Sequence, residues 1–387
     1  MLYLAISNYK GCHTGAGGHY YSLLVLYNAL KEFGTKVEVI VFGDEKPIAL
    51  DVIDDEYIQV VKVLGLLPNL RNLKVESEDI IHSFDPVSHF SSRVISIKSK
   101  CKLVYTKPGG PNSKKSLFGI NRNFYVPYSK DIICFSRENF DFISNKYRDV
   151  NLHLIPNRVG RITSDNTRIQ ELKEKIGIEA GTKVLLRICR IGTDYKRSIE
   201  QTIALADFFE MKGESLVTLI IGRVQHEDVY EDLLRRFNEA HFITDDYFCR
   251  SASELIDIAD YVVGTGRSFM EACYFDKVAF VPVNNSNMAV LVTDSNFERL
   301  FRNNFSPRNV ATSAELEMNE TAIKMLNTGF YRSKFDKFFG INGVLNKYLK
   351  IYENAKETRL DYKFFHHFLV QSRFLTKYYL KKFLSII

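Results

Sequence analysis

No run of about 18 uncharged apolar residues occurs in this chain, so no segment is expected to span a bilayer as a helix. Cysteine is sparse and scattered: Cys12, Cys101, Cys134, Cys189, Cys249 and Cys273 form no CxxC pair, which points to buried reduced thiols and to no structural metal. No DxD pair stands at a clear strand end; Asp245-Asp246 falls in an expected loop, where adjacent acids are usually solvated. The basic excess is small, 52 Lys and Arg against 46 Asp and Glu. That balance suits an anionic ligand or an anionic membrane surface, and with no accompanying motif it gives no case for nucleic acid. The first residues, Met1 to Ser7, lack a basic n-region and a cleavage site, so they read as a first strand and the chain is expected in the cytoplasm.

What is present is globular. The 387 residues, 45% hydrophobic and 25% charged, suit two domains of about 150 to 200 residues, each large enough to bury a core. Apolar runs alternate with helical spacing. Strands are expected at Tyr3 to Ser7, Val37 to Phe42, Val60 to Leu64, Ile80 to Ser83, Lys102 to Thr106, Asp131 to Phe135 and Leu152 to Ile155, with helices at Tyr20 to Phe33 and after the capping Ser136. Residues 157 to 182 turn polar and read as a connector with one short helix. A second set follows, with strands at Lys183 to Arg187, Val217 to Gly222, Tyr261 to Val263 and Ala279 to Pro282, and helices around Ser198 to Lys212, Asp228 to Asn238 and Met270 to Phe275. Alternating strands and helices in both halves imply an α/β protein of two doubly wound parallel sheets, with ligands at the carboxyl ends of the strands.

The most informative stretch is Val263-Gly264-Thr265-Gly266-Arg267-Ser268-Phe269-Met270-Glu271-Ala272, where a strand breaks on two glycines and Ser268 is expected to open a helix. Glycines let the backbone approach an anion, and a helix N-terminus offers free N–H groups and about half a positive charge. Arg267 stands beside this cradle. Glu271, one turn inside, is placed to accept hydrogen bonds from a ribose diol and is expected to need no partner within the protein. Gly264, Gly266, Arg267, Ser268 and Glu271 are thus candidate donor-binding residues for a sugar nucleotide. The bland alternative is a glycine turn common to any α/β sheet.

Further segments carry a family resemblance. Gly15-Ala16-Gly17-Gly18 follows the first strand, Leu154-Ile155-Pro156-Asn157 precedes the second half, Arg187-Ile188-Cys189-Arg190-Ile191-Gly192 is followed by Lys196-Arg197, and the stretch from Val263 ends on Glu271. Together they resemble the GT-B glycosyltransferases, specifically the retaining, nucleotide-sugar-dependent family 4, over roughly residues 1 to 345. The resemblance implies two Rossmann-like domains facing a cleft, an acceptor-side domain at 1–157, a nucleotide-sugar-binding domain at 158–345, and a helical segment at 346–387 crossing back to the first. It puts Gly17 and Gly18 in a glycine loop facing donor phosphates and acceptor, Arg190 and Lys196 on the diphosphate, and Glu271 on the nucleotide. Catalytic roles then fall to Glu271, Arg190, Lys196 and His82, with His13 on the acceptor side; the motif Lys107-Pro108-Gly109-Gly110-Pro111-Asn112, after a strand of the first domain, could shape the acceptor cleft or be a rigid loop with no ligand. Arg190 and Lys196 could instead be surface charges, and His82 or His13 merely hydrogen-bonded.

The chain also departs from that pattern. Val263 stands where the family's E-x7-E motif has its first glutamate, Phe84 where "DVLHIHEP" has its second histidine, and Arg158 where "IPNG" has glycine. The Arg190-to-Lys196 spacing is one residue longer than the family's. With Arg190, Lys196 and Arg267 to meet the charge on a departing nucleoside diphosphate, a metal-independent reaction with a UDP- or GDP-linked sugar is expected. The acceptor would be a glycan or lipid-linked glycan, in surface polysaccharide biosynthesis. Two other readings stay open: a catalytically weak GT-B protein serving as an assembly partner, and a Rossmann dehydrogenase, for which the Gly-x-Gly-x-x-Gly order is missing. The aromatic and basic stretch from Tyr362 to Leu384 reads as a helix that packs on the first domain or lies on an anionic membrane, making the protein peripheral on its cytoplasmic face.

Overall fold

The computed structural model describes residues 1–10, 15, 17–64, 67–70, 73–109, 116–117, 120–121 and 127–384. The chain forms two compact units, Met1–Pro156 with Ile341–Ile387, and Asn157–Gly340.

The first unit is built on a seven-stranded sheet. Its spatial order is Asn151–Leu154, Asp131–Cys134, Lys102–Lys107, Ile80–Ser83, Leu2–Asn8, Val37–Gly43, Ile58–Val61. Every pairing is parallel. Leu2–Asn8 and Asp131–Cys134 are buried along their whole length, as parallel strands covered on both faces must be. The expected strand from Val60 to Leu64 is broken: Ile58–Val61 joins the sheet, while Val63–Leu64 pairs antiparallel with Leu67–Pro68. Lys62 marks the break, its carbonyl accepting from the Asn69 amide.

Helix Pro86–Ser99 follows the fourth strand in sequence. Asp85 caps it through the amides of Val87 and Ser88, and Pro86 supplies the preset first-turn φ. Six of its eight buried residues are polar, Ser88, His89, Ser91, Ser92, Arg93 and Ser96 beside Phe90 and Ile95, so apolar periodicity does not reveal it. The C-terminal helices Leu345–Asn354 and Tyr362–Leu384 belong to this unit, as the resemblance implies. Tyr348, Ile351 and Tyr352 enter the core on one sheet face, and Leu375 and Tyr378 on the other.

The second unit has a six-stranded sheet in the order His241–Ile243, Leu216–Ile221, Lys183–Ile188, Tyr261–Val263, Val278–Val281, Val290–Leu291. All pairings are parallel except the last. Numbered by sequence this is 3-2-1-4-5-6, the doubly wound dinucleotide-fold order, whose direction reverses between Lys183–Ile188 and Tyr261–Val263. Ligands bind such sheets outside the carboxyl ends of the two reversal strands. No helix among the described residues is long and apolar enough to cross a membrane.

Candidate functional site

Two loops leave the reversal point of the second sheet, and each runs into a helix. After Lys183–Ile188 the chain passes Cys189, Arg190 and Ile191 to Gly192, which caps helix Thr193–Met211. Gly192 is required by crowding: a Cβ there would lie 2.7 Å from Nδ1 of His226 and 3.1 Å from the Gln225 side chain. His226 Nδ1 accepts from the Thr193 amide at 3.2 Å, so it holds the first N–H of this helix. Arg190 is exposed, donates to the Tyr195 hydroxyl at 2.7 Å and lies over that ring at 5.0 Å. Lys196, one turn into the helix, pairs with Asp232 at 2.7 Å.

After Tyr261–Val263 come Gly264, Thr265 and Gly266, and the helix runs from Arg267 to Tyr274, beginning one residue before the expected Ser268. Gly264 must be glycine because a Cβ would sit 2.6 Å from the Phe269 backbone. Gly266 adopts φ +51, a left-handed conformation that glycine takes without strain. Part of the amide cradle is already used within the protein. Ser268 Oγ accepts from the Thr265 amide at 2.9 Å, and the Gly266 amide donates to the Asn304 carbonyl at 3.1 Å. Arg267 occupies the first helical position, where it reaches back rather than outward: Nε donates to Glu271 Oε1 at 2.6 Å and Nη1 to the Arg158 carbonyl at 2.9 Å.

Glu271 therefore has a protein partner, which corrects the expectation of an unpaired carboxylate. It is buried, and burial raises its pKa against the opposing pull of Arg267. Arg158, which stands where the resemblance has glycine, gains a purpose. Its buried guanidinium donates to the carbonyl of Phe338, the last residue of helix Phe330–Phe338, where a cation complements the helix dipole.

Sequence reasoning missed Arg187 and His226. Arg187 lies inside an otherwise apolar strand and is fully buried, with Nη1 on the Val263 carbonyl at 2.8 Å and Nη2 on Ser198 Oγ at 3.0 Å. A charged residue in the run Lys183–Ile188 was the available signal. For His226 the sequence offered none. Asp245 and Asp246 pair with Lys175 and Arg223 respectively. Among the described residues no three His, Cys, Asp or Glu side chains converge as metal ligands would.

In the first unit the reversal point lies between Leu2–Asn8 and Ile80–Ser83. Gly17 caps helix Gly18–Glu32, and Gly18 faces open space. Gly15 of that loop is at φ +67 with a Cβ position 3.0 Å from the Ile48 amide, and a Cβ at Gly17 would lie 3.0 Å from the His19 ring. His13 lies outside the described residues, as do Gly110, Pro111 and Asn112 of the loop after Lys107. Lys107 ends its strand and donates to the Pro108 carbonyl at 3.3 Å. His82 is fully buried, with Nδ1 2.8 Å from the Tyr352 hydroxyl and Nε2 2.7 Å from Thr106 Oγ1. Burial pushes its pKa down to about 3. Both nitrogens are committed inside the core, so His82 has none to offer a sugar, and the catalytic place expected for it gives way to a structural one. Phe84 is buried beside it, ring centroids 4.5 Å apart. Pockets of about 710 and 540 Å³ open at the amino ends of this sheet, away from the reversal-point loops.

Solved structures share this architecture. HepE from Anabaena, in complex with UDP-glucose, matches with a TM-score of 0.62 at 13% identity, over 91% of this chain and 99% of its own. The pneumococcal O-GlcNAc transferase GtfA, in complex with UDP and GlcNAc, matches at 0.58 and 9% identity, over 91% and 98%. A glycosyltransferase from Rickettsia africae matches at 0.56 and 15% identity, over 91% and 97%. The chain has the GT-B glycosyltransferase fold. No protein-family model and no curated protein matches it. Within the GT-B fold, the Arg190 and Arg267 loops occupy the reversal point of the second sheet, and Val263 and Phe84, the two departures from the family pattern, are core residues.

Proposed function

We propose that this protein transfers a hexose from a nucleotide-sugar donor to a glycan or lipid-linked glycan, with retention at the anomeric carbon, in surface polysaccharide biosynthesis. The observation that carries the reading is the pair of loops at the reversal point of the second sheet, each opening a helix N-terminus beside a basic residue. Charge develops on the diphosphate as the glycosidic bond breaks, and preorganised cations and amide dipoles stabilise it most where water is excluded. Arg190, Lys196 and the Thr193 and Arg267 helix ends supply that stabilisation from the chain itself, so the reaction needs no metal. Glu271, oriented by Arg267, would accept from the ribose diol of a UDP- or GDP-linked sugar. The structural neighbours crystallised with UDP, UDP-glucose or UDP and GlcNAc support this donor class. The acceptor side falls to the first unit, with Gly17, Gly18 and Lys107 at its loops, and the protein would work in the cytoplasm against the inner face of an anionic membrane.

A second reading, a catalytically weak GT-B protein that binds nucleotide or glycan as an assembly partner, is favoured by Val263 and Phe84. Both are apolar and buried where the resemblance has a glutamate and a histidine. One experiment separates them. Thermal stabilisation by UDP, GDP, ADP and their sugars should identify the donor, since a ligand at 100 times its dissociation constant adds about 2.7 kcal/mol. Donor hydrolysis without acceptor would then mark an enzyme; binding with neither hydrolysis nor transfer would mark the partner, and no binding of any nucleotide would defeat both.

A further inference from the structure

The C-terminal segment carries two features that glycosyl transfer does not use, and they are continuous. The first is a basic pocket of about 540 Å³ at the amino ends of the first sheet, closed by residues 355–361. Arg93, Lys102, Lys130, Lys356 and Arg359 line it, with Glu357 and Asp361 as its acids. Arg93 is wholly buried. Its Nη2 donates to Asp361 Oδ1 at 2.7 Å, its guanidinium lies 5.5 Å from the Tyr128 ring and 5.6 Å from the Phe364 ring, and its Nε and Nη1 have no hydrogen-bond partner. Lys102 is held by the Glu353 carbonyl and Lys130 by Asp149. No ion pair holds Lys356 or Arg359 among the described residues. A buried cation so incompletely bonded, in a pocket with five basic and two acidic side chains, is suited to a further anion.

The second feature begins where the pocket ends. Helix Tyr362–Leu384 buries His367, Gln371, Leu375 and Tyr378 against the first unit, and Tyr378 donates to Asp44. On its other side Tyr362, Phe365, Leu369 and Leu380 are 77%, 58%, 66% and 58% exposed. At 3.6 residues per turn these four fall within an arc of about 60°, opposite the buried face, an arc shared by the exposed Thr376 between Leu369 and Leu380. Leu360, just before the helix, is exposed as well. An apolar stripe with aromatic residues, running on from a cation-lined pocket, matches the layering of a phospholipid surface, with phosphates at the level of the cations and hydrocarbon below the stripe.

We propose that this segment is a lipid site: the stripe of Tyr362, Phe365, Leu369 and Leu380 enters the interface of an anionic bilayer while the Arg93 pocket receives a headgroup phosphate. The proposal gives the membrane partner of the reading above a location, and it does not depend on the donor chemistry.

The test uses the full chain with vesicles of phosphatidylcholine alone or mixed with phosphatidylglycerol, read by co-sedimentation. Parent protein should sediment with the anionic vesicles. Lys356→Ala with Arg359→Ala should weaken that binding about thirtyfold, since each basic residue near the surface is worth roughly fivefold. Leu369→Asp should abolish it, and because Leu369 is exposed the melting temperature should hold. Nucleotide affinity of all variants should equal the parent's, so loss of vesicle binding and failure of the donor site are read separately. Failure of the parent to bind anionic vesicles overturns the proposal. So does saturable binding of inorganic phosphate in the pocket without vesicle binding, which would make it a soluble-anion site. A concentration-dependent dimer that Leu369→Asp dissociates, again without vesicle binding, would assign the stripe to a second copy of the chain and equally overturn it.

Discussion

Arg187 Nη1 donates to the Val263 carbonyl at 2.8 Å, joining the two strands on either side of the second sheet's reversal point from inside the core. The same guanidinium holds Ser198, in the helix that follows the Arg190 loop, so one buried cation sets both loops of the candidate donor site. Charged hydrogen bonds are worth about 1.5–3 kcal/mol each, and removing one partner leaves the others unpaired in low dielectric.

Arg187→Ala should therefore lower stability by roughly 3 kcal/mol or more. Arg187→Met, which fills the volume and removes the buried charge, should cost less. Chemical denaturation of both variants checks the order, and a methionine variant no more stable than the alanine one would show that packing, not the charge, governs the site. Nucleotide affinity should fall even in folded Arg187→Met, because the loops lose their common anchor.

Arg190→Ala and Lys196→Ala should each leave the fold intact. Arg190 is exposed, and the Lys196–Asp232 pair is a partly solvated contact of the kind that contributes little to stability. Each should weaken binding of the donor diphosphate at least tenfold, the loss expected for a charge-assisted hydrogen bond. Calorimetric titration with UDP and GDP is the measurement, and unchanged affinity in both variants would count against this loop as the phosphate site.

Two of the buried histidines of the first unit, His82 and His89, make stability fall in acid. His82 and His89 both have pKa values lowered by burial to about 3, against an ordinary 6.5. A depressed folded-state pKa means the contribution is present above pH 6.5 and is lost as pH falls toward 3, at up to about 1.4 kcal/mol per pH unit for each histidine. Unfolding free energy should thus drop between pH 6.5 and 5 with a slope near two protons. His82→Gln, able to serve both Tyr352 and Thr106, should reduce the slope by one. An unaltered slope would mean that His82 titrates normally in the folded protein.

How much of this was legible beforehand depended on whether a residue's role was local. The strand-to-helix hand-over at Gly266 was readable because glycine and apolar periodicity act within a few residues, whereas the helix expected around Ser198 begins five residues earlier, at Thr193 directly after Gly192. Tyr3 to Ser7 and Tyr261 to Val263 read correctly because a strand buried on both faces is apolar throughout. Helix Pro86–Ser99 was hidden because most of its buried residues are polar, four of them serine. His82 looked like a site residue because its partners, Thr106 and Tyr352, lie 24 and 270 residues away, beyond any local pattern. The Arg267 pair with Glu271 spans a single helical turn and is legible in its i,i+4 spacing.

That pair changes what Glu271→Gln should do. Glutamine keeps the size and an acceptor for Arg267 but loses the charge, which makes the hydrogen bond roughly half as strong. Ligand-free protein should change by less than about 1 kcal/mol near neutrality, because the weaker bond to Arg267 is offset by removal of a charge that burial disfavours. The pH dependence follows from burial, which raises the Glu271 pKa above the ordinary 4.5. A raised folded-state pKa contributes stability that is full below 4.5 and lost as pH rises through the folded value, so the parent's stability relative to the glutamine variant should decline upward through that range. Transfer should fall far more than stability does, because a ribose diol needs the full carboxylate. Both are measured on one preparation. Undiminished transfer in Glu271→Gln would make Glu271 only the structural partner of Arg267, and the donor site would then have to be sought away from this helix.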